Sequence, residues 1–211
     1  MPRQGLTSER VHAAAAELAD SVGLSRLTIA AVARHFGVAD ASLYVHVRGR
    51  DALIEQVAVR AAASFADDLA LAVAGRAGRQ ALGGFASAYR SFAVRHPGQY
   101  AATQLQLPPE VGLASAGHRR MIELSYAVLR GYRLDEPDLT DAVRFVRSTL
   151  HGFASLESSG GFGHPRAVDT SWESTGSGRG AVPDAPSRTS RKIVDAVHAA
   201  LSNWPTGTEE H

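Results

Sequence analysis

Five side chains set within seven residues, Asp40, Ala41, Ser42, Tyr44 and His46, have the types and spacing to meet a nucleic-acid surface. They fall on the outer side of a short helix if Leu43 and Val47, four apart, face inward. A carboxylate at Asp40 can accept from a cytosine amino group, the Ser42 hydroxyl can reach a base edge, and Ala41 can pack on a thymine methyl. That face holds no Arg, Lys, Asn or Gln, the side chains that make the best bidentate base contacts. Direct readout is therefore thin, and DNA shape or a terminal arm must supply part of any specificity. Just beyond it, Arg48 and Arg50 flank Gly49 where a new helix begins; they can grip a phosphate backbone or form a solvated basic turn. Arg3, on the aperiodic MPRQGL segment, could reach a minor groove or a phosphate, or lie on a tail without contacts.

The elements that must position these groups lie in twenty residues, Thr28 to Val47, which read as two short helices and a tight turn. Val32 and Phe36 share a face, and the small Ala33 lets another helix approach. Gly37 follows where a helix ending needs a left-handed residue. Ala39 stands at the cap of the second helix without a hydroxyl, and Asp40 can compensate through the helix dipole. So short a helix cannot stand alone, so something must dock beneath it. The preceding segment supplies a partner: Thr7 caps a helix to Val22, with Val11, Ala14, Ala15, Leu18 and Val22 on one face and Gly23 at its end. Leu24 and Leu27 close the underside, and Thr28 caps the next helix. This is the pattern of a helix-turn-helix offered to the major groove. Helical proteins that never touch DNA also contain such pairs, so spacing alone leaves both readings open.

From Leu6 to Leu53 the chain resembles the N-terminal domain of the TetR family of transcriptional regulators, carried by VGLSRLTIAAVARHFGV, SLYVH and RGRDAL. The family usually ends its Leu-Tyr-x-His motif in an aromatic, where this chain has Val47, and usually has Ser or Thr at the position of Ala39. The resemblance implies that Thr28 meets a DNA phosphate and that Tyr44 and His46 hold others. It also implies a cytoplasmic homodimer on a near-palindromic operator, its recognition helices about 34–36 Å apart. A small apolar effector in the C-terminal domain would swing the connecting helices apart and relieve repression. Activation, or regulation without a ligand, is not separable from repression on these residues.

The rest of the chain reads as helices. Arg50 to Val73 forms a rod with Leu53, Ile54, Val57, Ala61, Phe65 and Leu69 along one stripe, broken at Gly75–Gly78. Helices follow over Gln80–Arg95, from Pro97 through Leu105, over Gly117–Gly131, Leu139–Glu157 and Arg191–Trp204. Phe85, Tyr89, Phe92, Tyr100, Met121 and Tyr126 could line an effector pocket, and each could equally be plain core. The segment LHGFASLESSGGFG resembles a motif of one TetR subfamily whose helix packs against its copy, placing Val146, Leu150, Phe153, Val197, Leu201 and Trp204 at a dimer interface. Residues 158–190 are dominated by Gly, Ser, Pro and Arg, and are expected to be mobile. The expected architecture is all-α: a three-helix DNA-binding domain over 1–49, then a helical effector-binding and dimerisation domain over 50–211, with 50–74 as connector.

Composition agrees with packed helices: 45% apolar and 7% aromatic residues over 211 positions. Net charge is +1, so a positive footprint must be local. With no cysteine, disulfides and thiolate metal sites are excluded. No apolar run is long enough to span a membrane. The nine histidines show no ligand spacing, no Gly-x-Ser-x-Gly turn occurs, and the GGFG glycines precede no helix that could receive a phosphate. Asp67-Asp68 reads as a solvated face, and His151 as a core or interface histidine. No cofactor is expected, and an enzyme or a protein-binding scaffold is the weaker alternative.

Overall fold

A computed structural model describes residues 6–163, Val168 and residues 192–205. Arg3 and, apart from residues 158–163 and Val168, the 158–190 segment expected to be mobile lie outside the described residues. Within them the chain is all-helical. The helices are α1 (Ser8–Val22), α2 (Ile29–Phe36), α3 (Arg50–Val73), α4 (Gly78–Arg95), α5 (Pro97–Thr103), α6 (Pro109–Ala114), α7 (Ala116–Leu129), α8 (Asp138–Ser158) and α9 (Lys192–Ser202). Single 3-10 turns occupy Leu24–Arg26, Asp40–Leu43 and Arg130–Tyr132. The contacts divide the chain into two compact units, Met1–Asp68 with Ser91–Glu123, and Leu69–Arg90 with Leu124–His211.

In the first unit, α1, α2 and the start of α3 close on Val11, Ala15, Leu27, Val32, Leu43, Leu53 and Val57, all at 0% exposure. The alanines of α1 account for its close approach to its neighbours, since a methyl group adds little girth. Val11, Ala14, Ala15, Ala16 and Ala19 are its buried face, while Leu18 and Val22 are half-buried. Thr7 caps α1 by accepting from the Arg10 amide at 3.3 Å.

The α1–α5 junction is tied unusually closely. His96, before α5, offers no side-chain cap. The cap comes instead from α1: Asp20 accepts from the Gln99 backbone amide at 2.9 Å and from its side-chain amide at 2.6 Å. His96 Nδ1 lies 3.0 Å from the same carboxylate. A Cβ on Gly98 would collide with the Ala19 carbonyl, so glycine is required by close approach there. Phe65 stacks on Phe92 with centroids 4.5 Å apart, and Tyr100 meets Phe65 edge-on. Asp67 and Asp68 are not merely solvated: they pair with Arg120 and Arg95.

α6 has no counterpart among the helices expected from the sequence, where Leu107-Pro108-Pro109 follows the helix from Pro97 through Leu105. Pro109 starts it, where a proline costs no hydrogen bond, but it buries no residue and so leaves no apolar periodicity to find.

In the second unit, α8 turns Ala142, Val146, Leu150 and Ala154 inward at a spacing of four, and α9 buries Val194, Val197 and Leu201. Leu156, at 48% exposure, falls off that stripe. Arg90 forms a two-point ion pair with Glu157, its Nε 2.8 Å from Oε2. Arg79 pairs with Asp195, and the Tyr132 hydroxyl lies 2.8 Å from His198 Nδ1, anchoring α9 at two points. Burial raises the Tyr132 hydroxyl pKa above its ordinary value, keeping it protonated.

Candidate nucleic-acid interface

The interface is built from α2 outward. Thr28 accepts from the Ala31 amide at 3.1 Å and caps the helix as its type requires. Gly37 ends it in the left-handed region (φ 65, ψ 34), where a side chain would cost about 1 kcal/mol or more. Its amide and that of Val38 return to the Ala33 and Arg34 carbonyls. The chain then enters Asp40–Leu43 through Ala39, which is extended and makes no side-chain cap.

Here the structure corrects one expectation. The second element is not an α-helix but a single 3-10 turn, Asp40–Leu43, followed by turn residues 44–46. Only the Val47 amide, bonded to the Leu43 carbonyl at 3.0 Å, spans four residues; Ser42 and His46 bond back three, to Ala39 and Leu43. An uncapped start, little length and β-branched Val45 and Val47 all disfavour a full α-turn.

Seating nevertheless follows the expected pattern. Leu43 is fully buried and Val47 is 5% exposed. Asp40, Ala41 and Ser42 are exposed, and Tyr44 is 59% exposed. His46 is half-buried, its Nδ1 3.4 Å from the Ser8 hydroxyl on α1. Val45 was missed: at 85% exposure it is the most solvent-facing large apolar side chain among the described residues. An α-helical register with Leu43 and Val47 inward already turns Val45 to the outer side, about 200° from Leu43; its apolar type is what conceals it among polar neighbours.

The two arginines differ. Arg48 is exposed beside the turn. Arg50, expected to grip DNA, is turned inward to the protein backbone: Nε donates to the Leu27 carbonyl at 2.8 Å, and Nη2 donates to Ser25 at 2.9 Å. It thus ties together the carbonyls at the end of the Leu24–Arg26 turn, where helix-type ends leave acceptors to be filled.

A cavity of about 300 Å³ opens between α1, the recognition turn and α3, and is lined in part by His12, Tyr44, His46, Arg48 and Gln56. His12 and Gln56 carried no sequence signal, because α1 and α3 were read for their apolar faces only. Burial pushes the His12 pKa below its ordinary value, so the ring is uncharged at neutral pH.

The residues assigned to an effector pocket fall in different units. Phe92, Tyr100 and Met121 belong to the first, and Phe85, Tyr89 and Tyr126 to the second. Phe85, Tyr89, Phe92 and Tyr100 are buried; Met121 and Tyr126 are half-buried, with the Tyr126 hydroxyl 2.9 Å from that of Thr140. Of the residues assigned to a dimer interface, Val146, Leu150, Val197 and Leu201 are sealed in the core of their own chain, while Phe153 and Trp204 are half-buried. His151 is half-buried on α8. Among the described residues, no cluster of His, Cys, Asp and Glu could hold a metal ion, and no helix is long and apolar enough to cross a membrane.

Comparison with known proteins agrees with this geometry. Residues 12–57 match the model of bacterial regulatory proteins of the tetR family, and residues 82–176 match a tetracyclin repressor-like C-terminal domain. The chain is 34% identical to the uncharacterised HTH-type transcriptional regulator YobS of Bacillus subtilis over 74% of its own length and 81% of the relative's. An uncharacterised HTH-type regulator of Mycobacterium tuberculosis is 36% identical, over 74% of this chain and 72% of that one. A Rhodococcus protein of unknown function shares the fold with a TM-score of 0.69 at 20% identity, over 96% of each chain. ActR of Streptomyces coelicolor in complex with (S)-DNPA superposes with a TM-score of 0.52 at 20% identity, over 74% of this chain and 73% of that one. The family match over residues 12–57 spans the capped helix, the left-handed glycine and the recognition turn, and the chain belongs to the TetR family of DNA-binding transcriptional regulators.

Proposed function

We propose that this regulator is a repressor that binds a near-palindromic operator as a homodimer and leaves it when a small apolar effector binds its C-terminal helices. The observation that carries the DNA face is the two-sided recognition turn: Leu43 and Val47 are buried while Ser42, Tyr44 and Val45 face solvent. Ala41 and Val45 pack on base methyls, Asp40 and Ser42 meet base edges, and Tyr44, His46, Arg48 and the Thr28 end of α2 hold phosphates. Ala39 lets the backbone approach. Arg3 adds a minor-groove or phosphate contact from the arm. Arg50 serves this face through the Leu24–Arg26 turn that it caps.

For the dimer, side chains sealed in their own core leave little for a partner. The seam we favour therefore runs along the outer side of α8, through Phe145 (36% exposed), Leu156 and the half-buried Phe153, with Trp204 meeting Phe145 edge-on at a centroid distance of 5.9 Å. An effector that loosens DNA must bind one dimer spacing better than the other. The ActR complex with (S)-DNPA supports a small-molecule effector. A cytoplasmic location follows from the DNA partner.

The test is binding of the full chain to its own upstream duplex, titrated with salt against a scrambled duplex of equal length. A steep salt slope and a site preference of at least about 10³ are expected. Equal affinity for both duplexes would refute the reading.

A further inference from the structure

His12 lies on α1 beneath the recognition turn, at the wall of the cavity shared with Tyr44, His46, Arg48 and Gln56. Its ring makes a hydrogen bond to the backbone of His46 that favours the protonated ring, so the ring donates and the carbonyl accepts. The other ring nitrogen, Nε2, is buried without a hydrogen-bond partner. In the uncharged ring that nitrogen is only an unfilled acceptor. On protonation it becomes a buried N–H with no acceptor, a costlier state. The charged neighbours press the same way: Arg60 on α3 and His46 on the turn both oppose a positive charge on His12. Arg48, at the cavity wall, adds further positive charge, while Tyr44 and Gln56 are uncharged there. Because Nε2 is sealed from solvent, a DNA phosphate entering the cavity cannot reach it without moving the ring. Ser8, also on α1, contacts the His46 side chain at 3.4 Å, so α1 holds this one residue by two ties.

We propose that His12 is a positioning residue for DNA binding: its uncharged ring holds the His46 carbonyl, and with it the recognition turn, in the DNA-reading geometry, and protonation releases the turn. This deepens the DNA-binding reading and rests on it. The sign follows from burial. A histidine whose pKa is lowered on docking favours the docked state fully above its ordinary value near 6.5, and that advantage is lost as pH falls below it. His46 faces the same phosphates in every protein compared, so the effect of His12 is read from the difference between variants.

The experiment measures anisotropy of a labelled operator duplex with the full-length parent, His12→Gln and His12→Ala, from about pH 8 to about pH 5.5 at constant ionic strength. A glutamine amide can make the same donation and cannot titrate. At the alkaline end, His12→Gln should bind within about twofold of the parent and His12→Ala about tenfold more weakly, the loss expected for one backbone-positioning hydrogen bond. On acidification the parent should lose affinity relative to His12→Gln by about tenfold. A His12→Gln profile parallel to the parent's, or His12→Ala binding like the parent at alkaline pH, overturns the role. Should His12→Ala fail to fold, the glutamine comparison decides by itself. Absence of any site preference in the parent would sink the DNA reading, and this role with it.

Discussion

At the scale of single residues, Arg48 and Arg50 show why type and spacing alone mislead. Two arginines around a glycine at a helix start look equivalent in the sequence, and both are exposed, yet only Arg50 has its guanidinium committed to backbone carbonyls. Arg50 spends its guanidinium on the carbonyls of Leu27 and Ser25. The two should therefore separate experimentally. Arg50→Ala leaves carbonyls without donors and should destabilise the chain by about 1–3 kcal/mol in urea unfolding. Arg48→Ala should change stability by no more than about 0.5 kcal/mol and lower the salt slope of DNA binding by about one. The reverse pattern would mean that the roles have been exchanged. Nothing in the sequence could distinguish them, because the turn that Arg50 caps lies more than twenty residues away.

At the scale of elements, what was legible depended on where the determining chemistry sits. Caps and stops are local, and they read directly: Thr7 caps α1, Thr28 caps α2, and Gly37 adopts the left-handed conformation. Long amphipathic rods also read well; Arg50–Val73 has the bounds expected from its stripe. The recognition element did not, because the four-residue spacing of Leu43 and Val47 mimics an α-helical face although the 3-10 turn ends at Leu43. The cap of α5 was beyond reach for another reason: its acceptor, Asp20, belongs to a different helix. Two glycines test this contrast. Gly37→Ala meets open space and should cost about 1 kcal/mol for its positive φ alone. Gly98→Ala forces a methyl into the Ala19 carbonyl and should cost several times more, measured by the same denaturant midpoint. Equal costs would mean that the α1–α5 junction yields freely.

At the scale of the whole molecule, the claim is of two recognition turns held at one spacing by dimerisation. Phe145→Glu or Leu156→Glu should convert the dimer to monomers in sedimentation, with urea unfolding little changed and operator affinity reduced by at least about tenfold. A dimer that survives both changes would place the seam elsewhere. Inserting half a helical turn, about 5 base pairs, between half-sites should abolish the site preference by rotating one groove away. Partner choice was the least legible level, since side chains that look equally apolar in the sequence, such as Val146 and Phe145, differ in whether their own chain has already covered them.

The most direct test of the central claim is Tyr44→Ala, read by operator binding and thermal unfolding together. Tyr44 is exposed beside a fully buried Leu43, so truncating it should weaken DNA binding by at least about tenfold while leaving the melting temperature where it was. A variant that binds like the parent would contradict the assignment of this turn as the DNA-reading face, as would one whose weaker binding is matched by a lower melting temperature.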